Sequence, residues 1–174
     1  MAAIIEELGI KARAIYLPSS LTTNQPQALL PLHSNSSLPV IKHPLPRRLI
    51  VKYGDSPDEI GLLLSTIGST AVSMLDSKPG PASVELESAL NSLFTGTLGV
   101  ADRTKVIYPD KNRIHVEIIK PRIESEANSH HHCLGGPLVS VVASVAAEAM
   151  DKPIAVKHEE YQKGKCLIEL EVSG

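Results

Sequence analysis

Residues 137 to 150, "PLVSVVASVAAEAM", place the strongest constraint on what this chain can fold into. Leu138, Val139, Val141, Val142, Val145, Ala146 and Ala149 leave no polar stripe at helical spacing, so a helix here is buried on most sides. A buried strand is the competing reading because of the valines. The run is too long and too rich in alanine for one. Gly135 and Gly136 lead in, Pro137 suits the first helical position, and "DKP" breaks the pattern after Met150. The rest of the chain must therefore wrap this helix. Its 174 residues suffice for one domain, or one domain with an extension, and bury about two thirds of the unfolded surface without a disulfide.

The flanking segments predict strands and hairpins. "TKVIYPDKNRIHVEIIK" reads as a β-hairpin around the turn sequence "PDKN", with Ile114, Val116 and Ile118 on one side and His115 and Glu117 on the other. "IAVKHEEYQKGKCLIELEV" reads as a second hairpin turning near Lys163 and Gly164. Cys166, Ile168, Leu170 and Val172 share one of its faces. Upstream, "GDSPDEIGLLLSTIGSTAVSMLD" predicts a helix over 56–76. Ser56 stands at the N-cap, Pro57 at the first position, and Asp58 and Glu59 in the first turn. Gly61 and Gly68 lie near its apolar stripe and allow close packing. "ASVELESALNSLFTGTLG" predicts another helix over 82–98, with Leu86, Leu90, Leu93 and Phe94 together. "RRLIVKY" reads as a strand, and residues 1–16 as a short strand or hairpin. "RIESEANS" reads as a polar loop.

Residues 18–46 are rich in Pro, Ser and Asn and have no helical period, so they read as a loop, linker or extended arm. The expected organisation is an N-terminal strand and extended segment over 1–46, then an α+β domain over 47–174. Its sheet is mixed or antiparallel, built from hairpins and packed on two or three helices.

The chemistry concentrates just before the buried helix, in "NSHHHCLGGPL". In a helix-then-hairpin unit the strand after the helix runs back toward the helix start. That brings His158 toward Cys133, and the hairpin sets Cys166 near His158. With His130, His131 or His132 these are the donors of a tetrahedral zinc site. Glu159 or Glu160 is the alternative to a histidine as fourth donor. A helix N-terminus also favours thiolate at Cys133. Other readings stand beside this one. The cysteines suit small buried hydrophobes and the histidines a polar surface loop. Cys133 with a neighbouring base suits a nucleophile, and the glycine pair suits an anion nest. His115 reads as an ordinary strand residue, and His33 and His43 carry no role.

Composition excludes several functions. Net charge is -2, aromatic residues are 3% and Trp is absent, which argues against a base-stacking nucleic-acid binder. Two cysteines are too few for a disulfide scaffold. Glu6 and Glu7 interrupt any signal peptide, and the longest apolar run falls short of a membrane span. The expectation is a cytoplasmic protein.

Residues 133–172, from "CLGGPLVSVV" to "KGKCLIELEV", resemble the end of the 4-vinyl-reductase-like, or hydrocarbon-binding, domain, related to the TRAPP-type ligand-binding fold. Cys133 matches that family's first cysteine, and Gly164 with Cys166 its last element. His158 or Glu159 stands for its acidic residue, and Tyr161 falls where a middle cysteine belongs. The resemblance implies a small α+β domain, often a homodimer, with an apolar pocket for a hydrophobic or aromatic ligand and a structural zinc site nearby. Family members include sensor modules of transcription regulators and accessory proteins of (bacterio)chlorophyll synthesis. The resulting expectation is a non-enzymatic ligand-binding, sensory or accessory protein. The alternative is a metal- or thiol-dependent enzyme acting on a small cofactor or tetrapyrrole at the HHHC loop.

Overall fold

The computed structural model describes residues 2–34, 37–123 and 129–174. In chain order it contains α1 (Ala2–Glu7), β1 (Ile15–Leu17), β2 (Gln27–Pro31), β3 (Ile50–Lys52), β4 (Ile60–Leu64), α2 (Ile67–Ser73), α3 (Ser83–Asn91), β5 (Arg103–Asp110), β6 (Arg113–Ile119), α4 (Ser129–Leu134), α5 (Pro137–Met150), β7 (Ile154–Gln162) and β8 (Lys165–Val172). The strands form one sheet in the order β3-β4-β2-β1-β7-β8-β6-β5, and every neighbouring pair is antiparallel. This is the expected α+β class. Most of the polar loop expected at 122–129 lies outside the described residues.

α5 is the centre. Every residue from Leu138 to Ala149 is buried, including the polar Ser140, Ser144 and Glu148. Gly136 is extended at the N-cap, Pro137 follows, and Asp151 ends the helix in the left-handed region. Glu148 meets its needs by accepting from the backbone N–H and the hydroxyl of Ser19, which ties the 3-10 turn Ser19–Leu21 to the helix. The stretch His132–Met150 is long and apolar enough by composition to cross a membrane, but 78% of its most apolar window is buried inside the protein. It is also broken at Gly135, whose φ is +74°.

Both hairpins form as the alternation predicts. Ile114, Val116, Ile118, Cys166, Ile168, Leu170 and Val172 are buried in the core that holds α5. The helix at 82–98 is present as α3 followed by a π-helical turn, Ser92–Thr97, and Gly99 ends it at φ +62°. Leu86, Leu90, Leu93 and Phe94 are fully buried in the main core.

Three upstream expectations need correction. The helix predicted over 56–76 is instead a turn, a strand and a short helix. The Glu59 carboxylate accepts from the Ser56 N–H at 2.8 Å, so the apparent cap closes a turn. "IGLLL" is β4, buried on both sheet faces: Leu62 and Leu64 lie in the main core and Leu63 in a second cluster on the opposite face. Such a strand reads as a continuous apolar run rather than an alternating one. The true N-cap is Thr66, in a reciprocal capping box with Ser69.

The N-terminus begins as helix α1 rather than a strand, with Ile5 and Ile10 in the main core, while the strand expected at "KARAIYL" forms at its end as β1. Residues 18–46 are also not a solvated arm. They supply β2, which sits between β4 and β1, so one sheet runs through both sides of residue 46. Residues 37–46 cross the outer sheet face as a strap. Leu38, Ile41 and Leu45 pack on Ile15, Leu17, Leu29, Val51, Tyr53 and Leu63. The outer face of β5, β6, β8 and β7 is open and charged, with Lys165 paired to Glu117 at 2.6 Å and Lys157 to Glu171 at 2.7 Å.

Candidate functional site

The sheet is thinnest at the β1–β7 seam. These strands pair only at Ile15–Ala155 and Tyr16–Ile154. Beyond that point they diverge. The chain before β1 turns to α4, where the Ala14 N–H donates to the Cys133 carbonyl at 2.7 Å. β7 meanwhile carries a bulge: Val156 pairs with Leu170, but His158 pairs with Glu169, leaving Lys157 as an extra residue. Arg13 bridges the resulting notch. Its Nη1 donates to the Val156 carbonyl at 3.3 Å and the Lys157 carbonyl at 2.9 Å.

The bulge decides where the expected metal donors point. With regular alternation His158 would share a face with Val156 and Cys166. One extra residue flips everything after it. Glu159 and Tyr161 therefore turn inward, opposite Ile168 and Cys166. His158 turns out to the open face, with its side chain 59% exposed and its Nε2 3.5 Å from Glu160 Oε2. His158 is thus not brought together with Cys133 and Cys166. The strand does return to the start of α5, as expected, but the residue that arrives is Glu159. Its Oε2 accepts from the Gly136 N–H at 3.4 Å.

Cys133 lies in the last turn of α4, not at the mouth of α5, so no helix N-terminus favours its thiolate. It is buried, and its Sγ donates to the Ile10 carbonyl at 3.3 Å. Burial raises its thiol. Cys166 is fully buried, and burial, helped by the nearby Glu159 charge, pushes it up to about 12. Burial first, then Cys166 and Glu159 alongside, raises the Tyr161 phenol. His132 is exposed. The side chains of His130 and His131 lie outside the described residues. Among the described residues, no group of three or more His, Cys, Asp or Glu is placed to hold a metal ion.

Buried thiols of this kind make a direct prediction. In native protein at about pH 8, Cys166 should react with iodoacetamide more than about a hundredfold more slowly than in urea-unfolded chain. Comparable native and unfolded rates, read by mass spectrometry, would show the thiol to be accessible and ionised. The sign of the pH effect follows. Folded thiol values lie above unfolded ones, so the stability tied to them is whole below about pH 8.5. It is lost as pH rises toward about 12, because the unfolded chain ionises first.

Two cavities flank Arg13. The inner one, about 180 Å³, is lined by Arg13, His132, Cys133, Gly135, Val156 and Glu159. The outer one, about 360 Å³, lies under the strap, and its walls include Lys11, Arg13, Ile15, Leu38, Tyr53 and Lys157. Neither is lined by α2 or α3, whose buried apolar residues Ala71, Leu86 and Leu90 lie in the main core. Two buried polar atoms on these walls have no hydrogen-bond partner among the described residues: Glu159 Oε1 on the inner side and the Tyr53 hydroxyl on the outer. Sequence reasoning weighed Glu159 as a donor but missed Arg13, Tyr53 and Lys157. The cationic alternation of Lys11 and Arg13 just ahead of β1 was the available signal.

Neither the curated proteins nor the solved structures contain a match to this chain. A family model described as a domain of unknown function (DUF7982) matches residues 1–171, across the sheet and both cavities, and the chain belongs to that family.

Proposed function

We propose that this is a non-enzymatic small-molecule-binding protein, sensory or accessory in role, whose site is the notch between β1 and β7. One observation carries the reading: among the described residues the buried Tyr53 hydroxyl and Glu159 Oε1 have no hydrogen-bond partner, and each residue lines a cavity at Arg13. Buried polar groups are ordinarily paired, and an orphan costs about 1–3 kcal/mol. A ligand that supplies the missing partners recovers that energy on binding. The resemblance to the hydrocarbon-binding domain supports the same reading: of the residues that carry it, Cys133 and Glu159 line the inner cavity. The thiol branch of the enzyme alternative is disfavoured, since both cysteines are buried and burial raises their thiols. Two free buried cysteines suit a reducing compartment, so a cytoplasmic setting belongs to the proposal.

Among the described residues, the donors that zinc would draw on are His132, Cys133 and Glu159, which share the inner cavity but are not grouped to hold a metal ion. Holding it would require Cys133 to leave the Ile10 carbonyl and a further donor to join. Metal content and native mass spectrometry of the untagged chain test both ideas together. The expected result is a co-purifying small molecule, depleted in Arg13→Ala, with zinc far below one per chain. A bare polypeptide mass in both proteins would remove the binding reading. About one zinc per chain, lost in Cys133→Ala, would replace it with a metal centre.

A further inference from the structure

The outer cavity has a chemistry of its own. Three cationic side chains, Lys11, Arg13 and Lys157, line it, and among the described residues no carboxylate does. Ile15, Leu38 and Val156 provide apolar wall beside them. Tyr53 is 5% exposed, and its hydroxyl has no partner among the described residues. Burial, reinforced by the charge of Glu59, raises the Tyr53 phenol and keeps it a donor. Arg13 uses Nη1 on two carbonyls, which leaves other guanidinium N–H groups of its five uncommitted. Lys157 is held by Glu171 at 2.7 Å, but with side chains 54% and 36% exposed the pair is a weak, exchangeable one. A volume of about 360 Å³ falls at the small end of ligand pockets, which run roughly 300–1,000 Å³.

We propose that this cavity is a site for a small oxyanion-bearing molecule, a carboxylate or phosphate on a compact apolar body. Lys11 and Lys157 attract the charge, the Tyr53 hydroxyl and Arg13 donate to the oxygens, and Ile15 and Leu38 cover the body. The proposal rests on the binding reading above and specifies its ligand class. Strap residue Leu38 and the strand residues face each other across the cavity, so the ligand is held between strap and sheet.

Calorimetric titration of the untagged full chain with benzoate, benzyl alcohol and inorganic phosphate tests it. Benzoate is expected to bind at least about tenfold more tightly than its neutral counterpart, a difference of one charged contact. Lys11→Glu is expected to weaken benzoate by about tenfold or more, while Lys163→Glu, at the β7–β8 turn, leaves it unchanged. Tyr53→Phe gives an opposed pair of effects. Benzoate weakens by about fivefold, yet the free protein melts about 2–4 °C higher, because an unpaired buried hydroxyl is gone. A hydroxyl with a structural role would lower the melting point instead.

Phosphate matching benzoate would keep the oxyanion chemistry and assign the site to an inorganic ion. Equal binding of benzyl alcohol would overturn the anion site and leave the small-molecule reading standing. So would benzoate binding that ignores Lys11→Glu. If no probe binds while a co-purifying molecule is still found, the anion inference alone falls.

Discussion

Replacing Asn91 with alanine is expected to lower the free energy of unfolding by about 2–3 kcal/mol and to make the protein self-associate. β5 is an edge strand of the sheet, and such an edge offers a row of unpaired N–H and C=O groups. α3 closes it with side chains. Asn91 Oδ1 accepts from the Thr104 N–H at 2.8 Å, and its Nδ2 donates to the Thr104 carbonyl at 2.9 Å and to the Glu87 carbonyl at 3.0 Å. Glu87 Oε2 accepts from the Val106 N–H at 2.8 Å. The amide of Asn91 thus makes both bonds that a further strand would make at Thr104, a fully buried residue. Alanine leaves a buried donor and a buried acceptor without partners. Urea denaturation reads the stability loss, and sedimentation over a concentration series reads the opened edge. An unchanged midpoint with an unchanged sedimentation profile would mean that the helix does not seal β5.

Gly68→Ala is expected to cost about 2–3 kcal/mol, although alanine is the better helix former by up to about 1 kcal/mol. α2 crosses α5 at this residue. A methyl group on Gly68 would sit 2.2 Å from the Ser140 carbonyl oxygen and 2.1 Å from Ser144 Oγ. The Gly68 N–H also donates to Ser140 Oγ at 3.2 Å. The clash is with backbone of a helix buried along its length, so little can yield. Removing the hydroxyl in a Gly68→Ala, Ser144→Ala double variant should recover only part of the loss. Gly96→Ala is the control, because nothing lies within 4 Å of that position. A Gly68→Ala protein as stable as wild type would place slack between α2 and α5 where none is described.

Elements that carry their own period were legible in the sequence. α5 declared itself by being apolar all round, and the two hairpins by alternation, because a strand with one buried face writes period two into its residues. β4 was misread for the converse reason. Buried on both faces, "IGLLL" has no alternation, and the acidic residues before it imitate a helix start. β2 hides within a Pro- and Ser-rich stretch because its identity comes from β4 and β1 on either side, not from its five residues. The site divides in the same way. Cys133, Cys166 and His132 stood out by composition, and the return of the strand to α5 followed from topology. The bulge at Lys157 did not, and one unpaired residue exchanged Glu159 for His158 on the inner face. The outer cavity joins Lys11, Tyr53 and Lys157, three residues that no local pattern connects. The strap that seats them was itself read as a linker.

The narrow β1–β7 seam also sets an order on synthesis. A chain leaving the ribosome has all of β1, β2, β3 and β4 once residue 64 is out, yet α5 starts at 137 and β7 at 154. Until then the half-sheet lacks the α5 layer on its inner face and has an unpaired β1 border. At 5–20 residues per second the wait is roughly 5–20 s, long compared with hairpin formation. The nascent N-terminal half is therefore a natural client for holding chaperones. A ribosome stalled with β7 still in the exit tunnel should yield a protease-sensitive half-sheet, protected only when the last hairpin emerges.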